Sequence, residues 1–201
     1  MKAKLLALTV LCFSLVAVAP AQDKIDPAAK KSDEILSKLK QVTLIEYVVP
    51  LLLNKDQYKK LLTSLEKSRQ RAIDMQRDEA KTLLALEKEY DPILNSGIKD
   101  AKIPSQESTK KIEQTILEFR QKRLGVMAKN IMEMFTMLSK ELNAGQIKSA
   151  ANSLPLKMYP PGIKLEEIDQ DSKFRFFIES VFFDPDCYSL LVQLEKLAPK
   201  E

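Results

Sequence analysis

Two short stretches of this chain match each other and fix where two of its helices start: Leu53-Asn54-Lys55-Asp56-Gln57 and Leu142-Asn143-Ala144-Gly145-Gln146. Each reads Leu-Asn-x-x-Gln. Asn caps a helix N-terminus well, because its side chain accepts from a backbone N–H that has no partner within the helix. A Gln three residues later reaches back to the cap's own N–H, which closes a reciprocal capping box. The pattern predicts one long helix leaving Asn54 and a second helix break at Asn143. Asn54, Gln57, Asn143 and Gln146 are read as structural caps with no direct chemistry.

Between the boxes the periodicity predicts an antiparallel hairpin spanning residues 55–141. Tyr58, Leu61, Leu62 and Leu65 open an apolar face on the first long helix, and Leu83, Leu84, Leu86 and Tyr90 close it. The intervening stretch, 66–82, is almost wholly polar, so such a helix crosses solvent or lines a groove. Asp91-Pro92 is expected to weaken this helix near Tyr90, with room for one further turn. Asn95-Ser96-Gly97 and Ile103-Pro104 would then form a turn of about a dozen residues. A second long helix is predicted from Ser105 to Glu141. On it Leu117, Leu124, Ile131 and Leu138 repeat every seven residues, flanked by Met127, Met134, Ala128, Phe135 and Leu142, as in a coiled-coil seam.

Shorter helices flank the hairpin. Asp26-Pro27 offers a cap with proline at the first helical position, and Ile35, Leu36, Leu39 and Val42 support a helix ending near Gln41. Thr43 to Leu53 is ambiguous. Tyr47-Val48-Val49 favours strand and Pro50 favours extended geometry at Val49. No second strand-like run exists to pair with it, so a short buried helix or an extended segment under the long helices is expected. After the second box, Ile147 to Leu154 reads as a short helix, followed by a rigid Pro-rich linker. The aromatic segment 163–198 restarts at Asp184-Pro185 and should fold back on the hairpin or join a second subunit. The fold class expected is all-α, a single helical domain over residues 22–201.

The N-terminus precedes that domain as a separate signal. Lys2 and Lys4, an apolar run from Leu5 to Val18, and Ala19-Pro20-Ala21 make a secretory signal peptide cut after Ala21. Bulky Leu11 ahead of Cys12 argues against lipoprotein processing. Later runs are too short to span a bilayer, so no membrane insertion is expected after cleavage. Loss of Lys2 and Lys4 lowers the formal charge from +4 to +2. The basic residues alternate with acids, and nucleic acid is not an expected partner.

Residue content also narrows the chemistry. The chain has no His, which removes the commonest general base and zinc ligand. Its four Gly form no phosphate-cradling loop. Cys187 alone remains after cleavage, so an intramolecular disulfide is impossible, and its aromatic neighbours favour burial. No catalytic residue, metal site or cofactor is expected. The cluster Met127, Met132, Met134 and Met137 admits three readings: core filler, a surface that repacks against varied partners, or a soft Cu(I) site. Met132, Met137 and Phe135, edged by Arg69, Arg77 and Lys81, are the candidate protein-binding residues. A solvated face is the plainer reading of those charges.

The paired boxes resemble those of the Spy/CpxP-type periplasmic proteins, which carry Leu-Thr-x-x-Gln repeats. Leu53, Asn54 and Gln57 match the first motif and Leu142, Asn143 and Gln146 the second, with Asn in place of Thr. The resemblance covers roughly residues 53–154. It implies a bent helical hairpin that dimerises into a cradle, and an ATP-independent chaperone, envelope-stress or metal-resistance role. The expected function is therefore a secreted or periplasmic, non-enzymatic protein that binds unfolded or envelope proteins, with a homodimer as a possible state. The alternative is an envelope adaptor whose aromatic C-terminal segment docks on one defined partner.

Overall fold

The computed structural model describes residues 27–199, and all regular structure among them is helical. The expected signal peptide and the expected Asp26 cap lie outside these residues. Six α-helices follow in order: α1 (Pro27–Val48), α2 (Lys55–Asp100), α3 (Gln106–Glu141), α4 (Ala144–Ser153), α5 (Gln170–Phe177) and α6 (Cys187–Leu197). At 1.5 Å rise per residue, the 46 residues of α2 span about 69 Å and the 36 of α3 about 54 Å. They pair as an antiparallel hairpin.

Both capping boxes form, and they meet. Asn54 Oδ1 accepts from Gln57 N at 2.8 Å while Gln57 Oε1 accepts from Asn54 N at 3.0 Å. Asn143 and Gln146 repeat this at 2.9 Å in both directions. The two glutamine amides then pair with each other, each Nε2 donating to the other's Oε1 at 3.1 Å. Gln57 Nε2 also donates to the Glu141 carbonyl at 2.8 Å, and Gln146 Nε2 to the Leu51 carbonyl at 3.0 Å. Every donor and acceptor of both amides is thereby used, and the start of α2 is stitched to the α3–α4 break.

Around this clasp lies the core. Leu44, Val48 and Leu51 come from the N-terminal segment, Tyr58, Leu61 and Leu65 from α2, and Met134 and Leu138 from α3. Ala150 and Ala151 of α4 and the aromatic C-terminal segment complete it. A π-helical turn at Ile178–Phe182 follows α5 directly. It turns Ile178, Val181 and Phe182 inward together with Phe174 and Phe177, all essentially without solvent exposure. Phe177 and Phe182 meet edge-on at 5.2 Å. The core takes nothing from residues 66–133. The molecule is therefore a helical base from which α2 and α3 project as a two-helix arm.

Several sequence expectations need correction. Helix α1 continues to Val48 instead of ending near Gln41, and Thr43 to Leu53 is its last turns plus a 3-10 turn at Val49–Leu51. Proline is tolerated there because it sits at the start of that turn, where no N–H partner is needed. The reversal falls on Leu52, at φ 49°, which aims Leu53 into the core and Asn54 into its cap. Helix α2 does not stop at Tyr90. It carries Pro92 in its interior and ends at Asp100, with Ala101 in the left-handed region; the Ala101 N–H donates to the Ser96 carbonyl, and Lys102 N donates to it at 3.4 Å. Leu86, Tyr90, Ile93 and Gly97 keep facing α3, and that pairing outweighs the lost hydrogen bond of an outward proline. The turn is accordingly five residues, 101–105, not a dozen. Asp186, not Asp184, precedes α6. Asp184 instead accepts from Asp186 N at 2.9 Å within the turn.

Candidate protein-binding surface

The register of the arm is written in charge. Lys60–Glu141, Arg71–Glu133, Glu79–Arg123 and Glu89–Lys111 cross from α2 to α3, one number rising as the other falls. Glu79 is the buried member of the set. Its carboxylate takes Arg123 Nε at 3.0 Å on both oxygens and Nη2 at 2.7 Å on Oε2. The Glu79 side chain is 6% exposed and that of Arg123 54%. That contact holds the Arg123 guanidinium's pKa above its ordinary value. Ser68 and Asn130 meet in the same seam, Asn130 Nδ2 donating to the Ser68 carbonyl at 3.4 Å. Polar groups in a helix seam fix its register at a cost in stability.

The heptad expected on α3 is only half right. Ile131 and Leu138 are buried and Leu124 half-buried, but Leu117 is 52% exposed. Toward the turn the seam runs through Phe119, Thr115 and Ile112 instead. A straight helix advances about 100° per residue, so a strict seven-residue stripe drifts off the contact line. The same spacing places the exposed apolar residues. On α2, Ile73, Leu83, Leu84, Leu94 and Ile98 fall to one side of the seam. On α3, Ile116 and Leu117 fall to that same side, because antiparallel neighbours wind in mirrored order across their contact line. Glu87, Asp91, Glu113 and Arg120 are interleaved with them. The opposite side carries Asp78, Lys122, Lys129 and Glu133 around shallow depressions. The arm is thus amphipathic across its width, with a bare apolar side.

The residues expected to bind protein are scattered over this frame. Phe135 is covered: its ring packs 5.9 Å from that of Phe174, and the Arg175 guanidinium sits 4.5 Å over it. Arg69 is likewise engaged, 4.5 Å over the Tyr188 ring of α6. The groove expected at these residues is filled by the chain's own C-terminal segment. Arg77 and Lys81 lie on the outer back of α2, paired with Asp74 at 3.4 Å and Asp78 at 3.2 Å, a solvated face. Met132 and Met137 line an open depression of about 440 Å³ with Thr136 and Lys140 on the charged side. Met134 is buried in the core while Met132 is 45% exposed, so the methionines do not converge on one site. Among the described residues no group of three or more His, Cys, Asp and Glu is placed to hold a metal.

The aromatic C-terminus, expected as a docking element in the adaptor reading, is spent on the core. Cys187 is buried there too, and desolvation, aided by the nearby Asp184 carboxylate, pushes its thiol up to about 12. No helix among the described residues is long and apolar enough to cross a membrane. Leu83 and Leu84, expected in the helix contact, stand instead on the arm's apolar side. A signal is present in Leu84, which at about 100° per residue stands about 100° round α2 from Leu65 and so does not share its face.

No protein family, curated protein or solved structure was found to match this chain.

Proposed function

We propose that this is a non-enzymatic, ATP-independent protein-binding protein that holds non-native proteins along the apolar side of its arm. One observation carries the reading: large apolar side chains stand exposed in a row on two paired helices, at 46–73% of full exposure on α2, and none of the described residues of the base covers them. Exposed apolar surface of this extent marks a contact site. Interleaved charge keeps the arm soluble and makes the contact adaptable, which suits varied clients better than one fixed partner. The paired boxes that resemble those of Spy/CpxP-type proteins support a chaperone or envelope-stress role. The N-terminal signal supports the periplasm or outside as its place of work. The clasp ties the root of the arm to the filled base, and the proposed contact surface lies outside that base.

Aggregation of a chemically denatured client, followed by light scattering, tests this. The protein suppresses scattering near stoichiometric ratio, without nucleotide. The triple variant L84E/L94E/L117E folds, because each side chain is more than half exposed, and loses most of the suppression. No effect of the unaltered protein at stoichiometric excess, or full activity in the variant, overturns the proposal.

A further inference from the structure

Helix α1 is the second place where apolar surface lies open, and its pattern is different. Ser37, Gln41, Leu44 and Val48 face the base, where Ser37 bonds Asp186 and Gln41 Nε2 donates to Ser189 Oγ at 3.1 Å. The opposite side presents Ile35, Leu39 and Val42, continued by Val49 at the start of the 3-10 turn and flanked by Leu36 and Ile45, each between 39% and 61% exposed. Positions 35, 39, 42, 46 and 49 are spaced four, three, four, three. That 3.5-residue repeat is the seam a helix presents to another helix. Within it stands one charge, Glu46, with Lys38 two turns away at the edge of the stripe. Neither has an ion-pair partner among the described residues.

From this pattern we infer that α1 pairs with α1 of a second copy of this chain, antiparallel, about a two-fold axis at Val42. Lys38 and Glu46 are each four residues from Val42, about 6 Å along the axis on either side. A two-fold axis there lays Lys38 of each chain beside Glu46 of the other. The surface is complementary to itself, as an isologous interface requires. The same axis sets Ile35 against Val49 and Leu39 against Ile45, apolar on apolar on either side of the Lys38–Glu46 pairs. The six apolar side chains expose roughly 600 Å² per chain, the lower bound of a standard-sized interface. A lipid surface is the poorer occupant, since Glu46 sits mid-stripe where an interfacial helix is apolar. This contact lies outside the stretch that resembles the Spy/CpxP motifs, and it stands independently of the arm's proposed activity. It would carry two arms on one particle.

Sedimentation equilibrium on the purified protein tests it. The expected mass is that of two chains. V42D, at a site 60% exposed, should keep its helicity and melting temperature per chain yet sediment as one chain, its dissociation constant raised at least tenfold. K38E and E46K should each weaken association, and the double variant K38E/E46K should restore it, which a merely structural role of these residues would not produce. V42C chains should join through a disulfide on mild oxidation, while the buried Cys187 stays reduced. A one-chain mass at about 100 µM, where an interface of micromolar Kd would be mostly formed, overturns the inference. So does a dimer indifferent to V42D. Vesicle binding lost in V42D, with a one-chain mass in solution, also overturns it, in favour of a lipid surface.

Discussion

Replacing either clasp glutamine by alanine should cost more than a helix cap is worth, and the two losses should not add. Gln57 makes four contacts: from the Asn54 N–H, to the Glu141 carbonyl, and two with the Gln146 amide. At about 1 kcal/mol net per hydrogen bond, less about 1–1.5 kcal/mol of side-chain entropy regained, Q57A should destabilise by roughly 2–3 kcal/mol. Gln146 makes an equivalent set with Asn143 and Leu51, so Q146A should cost the same. Two of the contacts are common to both residues. The double variant should therefore lose roughly 3–4 kcal/mol in total, leaving a coupling of about 1–2 kcal/mol. Urea unfolding of the four proteins, followed by circular dichroism at 222 nm (the usual helix band), measures this. For a chain of this size each single change corresponds to about 5–10 °C in melting temperature. Additivity within about 0.5 kcal/mol would show that the boxes act only as separate caps, and would refute the clasp.

Three further outcomes follow from the same geometry. R123A should destabilise by roughly 3 kcal/mol, because it strands the buried Glu79 carboxylate, whereas E79A leaves an Arg123 already half in water and should cost under about 1 kcal/mol; thermal melts giving equal losses would contradict the asymmetry. The Cys187 thiol, raised to about 12 by burial, stays protonated in the fold while the unfolded thiol ionises near 9.0, so stability should fall as pH rises above 9, by about 1.4 kcal/mol per unit until about 12. Urea midpoints at pH 8 and 10 should separate more for the native sequence than for C187A, and iodoacetamide at pH 8 should modify Cys187 only after unfolding. P92A should restore a helical hydrogen bond near the arm's tip and slow amide exchange over residues 88–96, with no change at the base; unchanged exchange there would mean the tip is already held by its contact with α3.

How far the sequence was legible depended on whether local chemistry and tertiary contact agreed. The boxes and Ser105 announced the starts of α2, α4 and α3 because a cap is chosen by residues within four positions of it. The same logic misread Pro92 and Pro50. In both cases a helix partner or a turn start overrode a correct local preference. That the two boxes touch could not be read locally, since 89 residues separate Gln57 from Gln146. Phe135 and Arg69 looked like binding residues because exposed and covered aromatic surface have the same sequence. Only the return of Phe174 and Tyr188 decides between them. The arm's open side is a matter of phase: Leu86 and Leu84 stand two positions apart, about 200° round the helix, which turns Leu86 toward the seam and leaves Leu84 in water.

The central claim is that one side of the arm, and not the base, touches non-native protein. Photo-crosslinking tests it most directly, with a photoreactive side chain placed singly at Leu84, Leu94 or Leu117 and, on the other side, at Asp78 or Lys122. In the presence of a denatured client, the first three positions should give covalent adducts and the last two should not. Adducts that form equally on both sides, or only at positions in the base, would contradict it.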